Sequence, residues 1–283
     1  MIHDLPLERR TLHGRWSREL DPVLTVDPGD SVRLETLAIL WRQARDEPYC
    51  ERAPDDGHAL SGPIAVRGAR AGGTLAVRID RVEPGPWGVT LTSEPHELEW
   101  ELARGIGRAS TGHAVKLAPF LGVVGMPPDE AGTHSTQPPR ACGGNIDCKE
   151  LVAGSTLYLP IPVDGALLSA GDAHALQGDG EVSGTAIETT SHAQLTVDVR
   201  DDLRLDWPIA RIGGAWLTFG FDRDLGRAAD IALEGMLQLL LREQGLSHDD
   251  ALALASVCVD LRVTQIVNDV KGVHAVLRDD ALS

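Results

Sequence analysis

The sequence predicts a mainly β protein, either a sandwich or a distorted barrel, with an α+β subdomain at its C-terminal end. From about residue 10 to about residue 220, short apolar runs alternate with glycine- and proline-rich turns at near-regular spacing, which is typical of antiparallel strands. Beyond that point apolar residues recur at helical spacing. We therefore divide the 283 residues into a β-rich region, 1–205, and an α+β subdomain, 206–283, that packs on it.

The β-rich region is defined by turns such as Asp27-Pro-Gly and Ala71-Gly-Gly, which separate its apolar runs. The clearest predicted strands are 23–26, 31–35, 73–79, 88–92 and 194–199. Residues 34–45 also fit a helical stripe, and we interpret them as a strand followed by a short helix. Residues 129–141 have no periodic apolar face, so we expect a loop, either a lid or a plain surface connection.

The C-terminal subdomain contains two predicted helices and a hairpin. Asp224 can cap the first helix, whose apolar positions follow helical spacing until Gly245 ends it. Ser247 with an acidic residue three positions later indicates a second helix over residues 249–257. Residues 261–267 and 272–277 are predicted to close the chain as a hairpin. The apolar first helix also suggests a homodimer or a higher homo-oligomer.

Charge and composition exclude several classes of function. The formal net charge is −16, with 42 acidic against 26 basic residues and no basic run, which argues against nucleic acid and anionic membranes as partners. No stretch approaches the roughly 20 apolar residues of a membrane span, and the first residues do not resemble a signal peptide, so we expect a cytoplasmic protein. The four cysteines form no Cys-x-x-Cys pair and are expected to be reduced thiols.

The stretch 142–188 carries the strongest functional signal. It places three glycine-supported turns around one short apolar run, and each turn presents a carboxylate or a histidine. This set of oxygens and an imidazole is suited to a metal ion or to acid/base chemistry. The polar residues concerned are Asp147, Asp172, His174, Asp179, Glu181 and Glu188.

The amino-acid sequence of this stretch resembles the sequences of the acetamidase/formamidase family. The characteristic pieces are Gly143-Gly-Asn-Ile-Asp, Gly171-Asp-Ala-His and Gly178-Asp-Gly-Glu, in this order and at these separations. Further matching segments are distributed along nearly the whole chain: 13–16, 26–30, 57–64, 69–75, 119–127, 260–267 and 272–276. The resemblance implies an enzyme that hydrolyses short aliphatic amides to the carboxylate and ammonia.

Hydrolysis of an amide needs an activated water, stabilisation of the oxyanion and a proton donor for the departing amine. A divalent metal ion can supply the first two, and the expected ligands are His58, Asp147 and His174. We expect zinc, with calcium and manganese as alternatives. Asp172, two residues before His174, is expected to orient the imidazole from the second coordination shell.

The remaining roles are assigned within the same stretch. Glu181 is the expected proton shuttle, because the glycines around Asp179 should leave its carboxylate accessible, and Glu188 is the competing choice. The backbone at Gly143, Gly144 and Asn145 is expected to come close to a small substrate and to help hold the oxyanion.

Two alternatives stay open. Cys142, Cys148, Lys149 and Glu150 offer the residue types of a thiol-dependent amidase, although such a site needs them to converge from separate strands. The second alternative is a β protein that binds a small ligand without turnover. Loss of Asp147, His174 or Glu181 would indicate that case, and all three are present.

Overall fold

A computed structural model describes residues 1–92 and 96–282, and two α-helices lie in this part of the chain. The helices are α1 (Leu225–Gln244) and α2 (His248–Cys258). The strands are β1 (Ile2–Leu5), β2 (Leu12–His13), β3 (Arg15–Trp16), β4 (Leu24–Val26), β5 (Ser31–Thr36), β6 (Arg42–Ala44), β7 (Glu47–Pro48), β8 (Leu60–Val66), β9 (Thr74–Pro84), β10 (Trp87–Leu91), β11 (Glu97–Ala103), β12 (Ile106–Ala109), β13 (Ala114–Lys116), β14 (Phe120–Gly125), β15 (His134–Ser135), β16 (Gly143–Asn145), β17 (Thr156–Pro160), β18 (Leu168–His174), β19 (Glu188–Thr189), β20 (Ser191–Arg200), β21 (Ile209–Ile212), β22 (Ala215–Asp222), β23 (Val259–Gln265) and β24 (Lys271–Arg278).

Most of these strands belong to two large sheets, which confirms the mainly β fold class. The first sheet has nine strands in the order β1-β5-β20-β9-β17-β21-β22-β24-β23. The second has eleven, with the path β13-β12-β11-β10-β19-β18-β14-β16; in addition, β8 pairs with β18, and both β2 and β4 pair with β8. The strands of the second sheet that border the candidate site, β14, β16, β18 and β19, pair antiparallel, as the short spacing of the turns predicts.

The main hydrophobic core contains side chains from both sheets. Val77 and Leu157 come from the first sheet, Leu121 and Leu168 come from the second, and all four are at most 1% exposed. Burial of such aliphatic side chains contributes about 1.5–3 kcal/mol each relative to exposure. The core therefore holds β14 and β18, which carry much of the candidate site, in fixed positions.

The C-terminal region follows its predicted pattern closely. The Asp224 carboxylate accepts from the Arg227 N–H at the start of α1, and Gly245 ends that helix with a φ of 64°. The Ser247 hydroxyl caps α2, and β23 pairs with β24 as the predicted hairpin. These strands extend the first sheet, so the division at residue 205 stays a prediction.

The apolar face of α1 is covered within the chain. Its buried residues pack on β22 and β24 and against α2. The feature that suggested a homo-oligomer is thus satisfied intramolecularly, and the oligomeric state stays a prediction. Among the described residues, no helix is long and apolar enough to cross a membrane.

Two local predictions had different outcomes. Residues 34–45 do contain a strand end followed by a short 3-10 turn, Ile39–Trp41, as predicted. The loop expected over 129–141 is only partly irregular, because β15 lies within it and pairs antiparallel with β3. That pairing was missed because a two-residue strand leaves no periodic pattern. The pairing holds this segment against the body of the protein.

Candidate active site

Three secondary-structure features bring the predicted polar residues together. His174 at the end of β18 is the direct partner of Glu188 on β19, and Asp172 lies two residues earlier on β18. Asp147 follows β16, which pairs with the other edge of β14. Glu181 comes from the turn after β18. We call these five residues the acid–imidazole cluster; each of them is at most 7% exposed.

The polar side-chain atoms of the acid–imidazole cluster form two close groups that share His174. His174 Nε2 is 3.2 Å from Glu188 Oε1 and 3.3 Å from Asp172 Oδ2. Two sets of three groups, one with Asp147 and Glu181 and the other with Asp172 and Glu188, each share His174 and span no more than 4.8 Å. This separation allows one small cation to contact several of the groups.

The backbone is strained where it presents these carboxylates. Asp147, Asp172 and Glu181 have φ values of 51°, 58° and 46°, in the left-handed region that non-glycine residues rarely adopt. Such conformations cost about 1–3 kcal/mol each, and they persist where the surrounding structure holds them, often at functional sites. The strained backbone directs these three carboxylates towards one point, and it lowers the stability of the folded protein.

Gln177 fixes the orientation of the His174 ring. Its Nε2 donates to the Asp147 carbonyl oxygen at 2.7 Å, so its Oε1, 3.0 Å from His174 Nδ1, is the acceptor there. His174 Nδ1 therefore carries the hydrogen and Nε2 faces the carboxylates. Asp172 lies on the Nε2 side, so the orienting role predicted for it belongs to Gln177.

Two buried atoms of the cluster have no hydrogen-bond partner among the residues that the structure describes. These are His174 Nε2 and Asp147 Oδ1. The contacts of Nε2 with the two carboxylates are short, but they do not have hydrogen-bond geometry. A buried polar group without a partner costs about 1–3 kcal/mol. Unsatisfied nitrogen and oxygen atoms that converge among carboxylates are what a divalent cation requires, and the residues therefore fit such an ion.

Burial and mutual repulsion change the acidities of the cluster. Burial, with the neighbouring Asp147 carboxylate, raises the pKa of Glu181 to about 10. Burial also raises the pKa of Asp147 to about 7, although the His174 imidazole opposes this. For Asp172 burial is outweighed by His58 and His174, and its pKa lies well below its usual range. The cluster thus combines an ionised carboxylate with one that holds its proton at neutral pH.

Gly122 on β14 forms one wall of the cluster, a role that the sequence did not reveal. A Cβ atom at this position would lie 2.6 Å from Asp147 Oδ1, 2.7 Å from Asp172 Oδ2 and 3.0 Å from His174 Cε1. These distances are far below van der Waals contact. The missing side chain therefore makes the space in which the two carboxylates and the imidazole meet.

Gly122→Ala is expected to lower activity by about 10²-fold or more, because a displacement of about 1 Å in a catalytic group has that effect. The overall fold should persist, since β14 keeps its hydrogen bonds. Gly213→Ala is the control, because no atom lies within 4 Å of its added Cβ. Steady-state kinetics and circular dichroism of both variants test this prediction. If Gly122→Ala had wild-type kinetics, the reaction would not take place at the acid–imidazole cluster.

Asn268, in the turn between β23 and β24, also contacts the cluster and was not predicted. Its Nδ2 donates to Asp147 Oδ2 at 2.5 Å, and its Oδ1 accepts from Gln137 Nε2 at 2.8 Å. Asn268 is 3% exposed, and its backbone N–H is held by Gln265 Oε1. One Asp147 oxygen is thus occupied by Asn268, which leaves Oδ1 directed into the cluster.

Asn268→Ala is expected to weaken metal binding or activity by about 10–100-fold, the usual effect of losing a partner that orients a ligand. The matched control is Asp269→Asn, which changes the next residue of the same turn, an exposed one. Asparagine tolerates the φ of 61° at this position. Equilibrium titration of metal-free protein with zinc measures the effect. Equal affinities for the two variants would show that Asp147 needs no support from Asn268.

His58 lies at the edge of the cluster. Its Nε2 is 4.0 Å from Asp172 Oδ2, whereas its Nδ1 and backbone N both lie about 3 Å from the Thr136 hydroxyl oxygen. Its side chain is 17% exposed, more than any member of the cluster. The segment 129–141 thus positions His58, because Thr136 belongs to it. This contact gives the segment a definite structural role beside the site.

The Gly143–Asn145 strand does not offer the predicted set of free amides. The Gly143 N–H already donates to the Arg140 carbonyl oxygen at 3.0 Å, so Gly143 does not serve as an oxyanion donor in this structure. A Cβ at Gly143 would lie 2.5 Å from the Val124 carbonyl oxygen. The glycine therefore serves the close approach of β14 and β16. Oxyanion roles for Gly144 and Asn145 stay predictions.

Glu181 differs from its prediction in one respect. The glycines around Asp179 were expected to leave it accessible, but its side chain is 6% exposed. The turn is anchored, because the Gly180 N–H donates to the Thr264 carbonyl oxygen of β23. Glu181 also borders a cavity of about 330 Å³ whose other walls include Trp100 and Leu176. It is thus buried between the cluster and this cavity.

The thiol-dependent alternative finds no support. Cys142 and Cys148 are buried, and burial raises the pKa of the Cys142 thiol to about 11 and that of Cys148 well above its ordinary value. A protonated thiol is a poor nucleophile. Lys149 Nζ lies 3.0 Å from Asp179, on a separate ion pair. Cys148 does contact Glu150, at 3.3 Å, but Asp179 holds the Lys149 ammonium, so the three residue types do not form one reacting centre.

Together, the fold and the site define a mainly β protein with a buried acid–imidazole centre built on adjacent antiparallel strands. The sequence profile described as the acetamidase/formamidase family matches residues 3–101 and 121–277. The chain belongs to this family, which confirms the resemblance in its motifs.

Individual relatives agree with this assignment. The chain is 27% identical to an acetamidase of Mycolicibacterium smegmatis over 270 residues, 66% of this chain and 65% of the relative. It is 26% identical to a formamidase of Methylophilus methylotrophus over 262 residues, 68% of this chain and 64% of the relative. The chain thus spans slightly less than two thirds of both curated relatives. The crystal structure of an acetamidase from Bacillus halodurans superimposes with a TM-score of 0.89 and 29% identity, covering 97% of each chain.

Proposed function

We propose that this protein hydrolyses short aliphatic amides of the formamide and acetamide type to the carboxylate and ammonia. The observation that carries the proposal is the buried acid–imidazole cluster, in which His174 Nε2 and Asp147 Oδ1 have no hydrogen-bond partner in the described part of the chain. Membership of the family supports the reaction class, and the names of the two curated relatives support the size of the acyl group.

We further propose that the cluster holds a divalent cation through His174 Nε2 and the carboxylates of Asp147, Asp172 and Glu188. His58 Nε2, 4.0 Å from Asp172, is the remaining imidazole within reach. When bound, such an ion lowers the pKa of a water molecule and polarises the amide carbonyl. Zinc is our first choice because an imidazole takes part, and calcium or manganese also suits a set rich in oxygen.

Glu181 is the proposed proton carrier. Its raised pKa, about 10 in the metal-free cluster, gives it the affinity for a proton that the role requires, and a nearby cation would lower that pKa towards neutrality. Its carboxylate would take the proton of the attacking water and deliver it to the amide nitrogen as the C–N bond breaks. The position of Glu181 between the cluster and the cavity supports this assignment.

The names of the relatives and one aromatic contact support small acyl groups as the substrate class. Phe120 packs edge-on against His174 with ring centroids 5.1 Å apart, which places a rigid aromatic wall beside the imidazole. Small acyl groups therefore fit better than branched or aromatic ones.

Release of ammonia from a series of amides tests the proposed function. We expect turnover of formamide and acetamide, and a decline in kcat/KM of about 10-fold or more towards butyramide and benzamide. Absence of ammonia from every short amide, with folded and metal-loaded protein, would refute the activity. A preference for aromatic amides would refute the substrate class alone.

Metal binding is expected to strengthen as the pH rises. In the metal-free cluster burial raises the pKa of Asp147 to about 7, and Glu188 and Asp172 raise the pKa of His174 well above its ordinary value, so both proposed ligands hold protons in weakly acidic solution. A cation must displace such protons, and each one released makes the affinity about 10-fold higher per pH unit. Zinc titrations at about pH 6 and about pH 8 measure this slope. An affinity that is independent of pH would contradict the proposed ligands.

A further inference from the structure

A second group of side chains of the types that can hold a metal ion lies next to the turn that carries Asp147. Cys148 Sγ lies 3.3 Å from Glu150 Oε2, and His274 Nε2, on β24, lies 3.6 Å from the same oxygen. The three ligand atoms lie within 4.8 Å of one another. Cys148 follows Asp147 directly along the chain, but the Cys148 side chain contacts Glu150 whereas the Asp147 side chain contacts Asn268. The two groups are therefore separate.

His274 is the least satisfied member of this group. It is fully buried, and its Nδ1 is 2.8 Å from the Thr264 hydroxyl oxygen. Within residues 1–92 and 96–282, its Nε2 has no hydrogen-bond partner, and it lies 3.6 Å from Glu150 Oε2. A buried imidazole nitrogen without a partner is unfavourable, so its persistence requires an explanation. The ring is held at one nitrogen and free at the other, which is the usual state of a histidine ligand.

Glu150 is held so that one oxygen remains available. Arg262 Nη1 donates to Oε1 at 2.6 Å, which leaves Oε2 for Cys148 and His274. The charge of Arg262 is in turn balanced by Asp179, at 2.6 Å from its Nη2. The Glu150 side chain is 13% exposed, so the group lies just below the surface and an ion can reach it.

The distances match those of a tetrahedral zinc site. Zinc binds sulfur at about 2.3 Å and nitrogen or oxygen at about 2.0–2.2 Å, which separates neighbouring ligand atoms by roughly 3.3–3.7 Å. Two of the three separations in this group, 3.3 and 3.6 Å, lie in that range, and the third, between Cys148 Sγ and His274 Nε2, is no more than 4.8 Å. A cysteine ligand selects zinc over calcium, magnesium or manganese.

We propose that Cys148, Glu150 and His274 form a second metal site, which takes a zinc ion with a water molecule as the fourth ligand. The thiol proton leaves to solvent as the sulfur–zinc bond forms. The ion joins the turn 148–150 to β24. Asn268 lies in the turn that leads into β24, and it donates a hydrogen bond to Asp147. By fixing β24 to the turn after Asp147, this site stabilises the position of Asp147.

Cobalt substitution of the full-length protein tests the proposal. A cobalt ion bound by a thiolate gives a strong near-ultraviolet charge-transfer absorption, whereas carboxylate and imidazole ligands alone do not. We expect this absorption in wild-type protein, with loss of about one equivalent of bound metal in Cys148→Ser and in His274→Ala. Cys142→Ser is the matched control, a second buried cysteine outside the group, and should keep both signals.

The outcome is independent of the proposed activity. His174→Ala should retain the thiolate absorption while it loses the metal of the acid–imidazole cluster. If Cys148→Ser does not fold, X-ray absorption of wild-type zinc protein decides, because the proposal requires a sulfur neighbour at about 2.3 Å. Absence of that sulfur neighbour, or an unchanged cobalt spectrum in folded Cys148→Ser, would overturn the second site. Either result would leave the proposed amidase function untouched.

Discussion

Glu181→Gln is expected to lower kcat for formamide and acetamide by about 10²–10⁴-fold, the range that general acid–base catalysis contributes. The amide side chain keeps the shape of the carboxylate but cannot accept a proton from water or return it to the leaving nitrogen. Metal content should stay at the wild-type level, because the proposed ligands are His174, Asp147, Asp172 and Glu188. Kinetics with metal analysis of the same sample measure both quantities.

Asp179→Asn provides the control for this prediction. Asp179 lies two residues away on the same turn, but its carboxylate pairs with Arg262 and Lys149 instead of the cluster. Its loss should leave kcat within a few-fold of wild type. A fully active, metal-loaded Glu181→Gln protein would refute the proton-carrier role. Loss of metal from that variant would instead make Glu181 a ligand and leave Glu188 as the candidate carrier.

His174→Ala is expected to remove the metal of the acid–imidazole cluster and to lower kcat/KM by about 10³-fold or more. The imidazole is the group shared by both sets of ligand atoms, and it is the nitrogen donor closest to the carboxylates. Burial disfavours its charged form, but Glu188 and Asp172 outweigh this and raise the His174 pKa well above its ordinary value. Without His174, only buried acids would remain around the space beside Gly122.

His192→Ala is the matched control, because His192 is a largely exposed histidine on β20 whose nearest acid is Glu35 at 3.9 Å. It should bind metal and turn over amides as the wild type does. Metal analysis, kinetics and thermal unfolding of the two variants complete the comparison. Retention of both metal and activity by folded His174→Ala would show that the reacting centre does not involve the cluster.

Part of this site was predictable from local sequence. Glycine-supported turns indicated where polar side chains would be presented, and Asp147, His174, Glu181 and Glu188 do meet in the structure. His174 pairs with Glu188 because β18 and β19 are antiparallel strands joined by one connecting segment. The family resemblance linked these pieces to one another and to a reaction class.

The rest depends on contacts between distant parts of the chain. Asn268 lies 121 residues from Asp147 along the sequence, and nothing in its local pattern indicates that β23 and β24 deliver it to the site. Gly122 acts through the side chain that it lacks, which becomes visible only when its neighbours are in place. The accessibility expected for Glu181 was wrong for a similar reason, since the anchoring of its turn to β23 is a tertiary contact.

The most direct test of the central claim is ammonia release from acetamide by one preparation of protein, measured after metal removal and again during stepwise return of zinc. Activity should be negligible in the metal-free protein. It should rise in proportion to the zinc bound at the acid–imidazole cluster, which is the zinc that the wild-type protein binds and His174→Ala does not. Full turnover by protein without detectable metal would contradict a metal-dependent acid–imidazole centre.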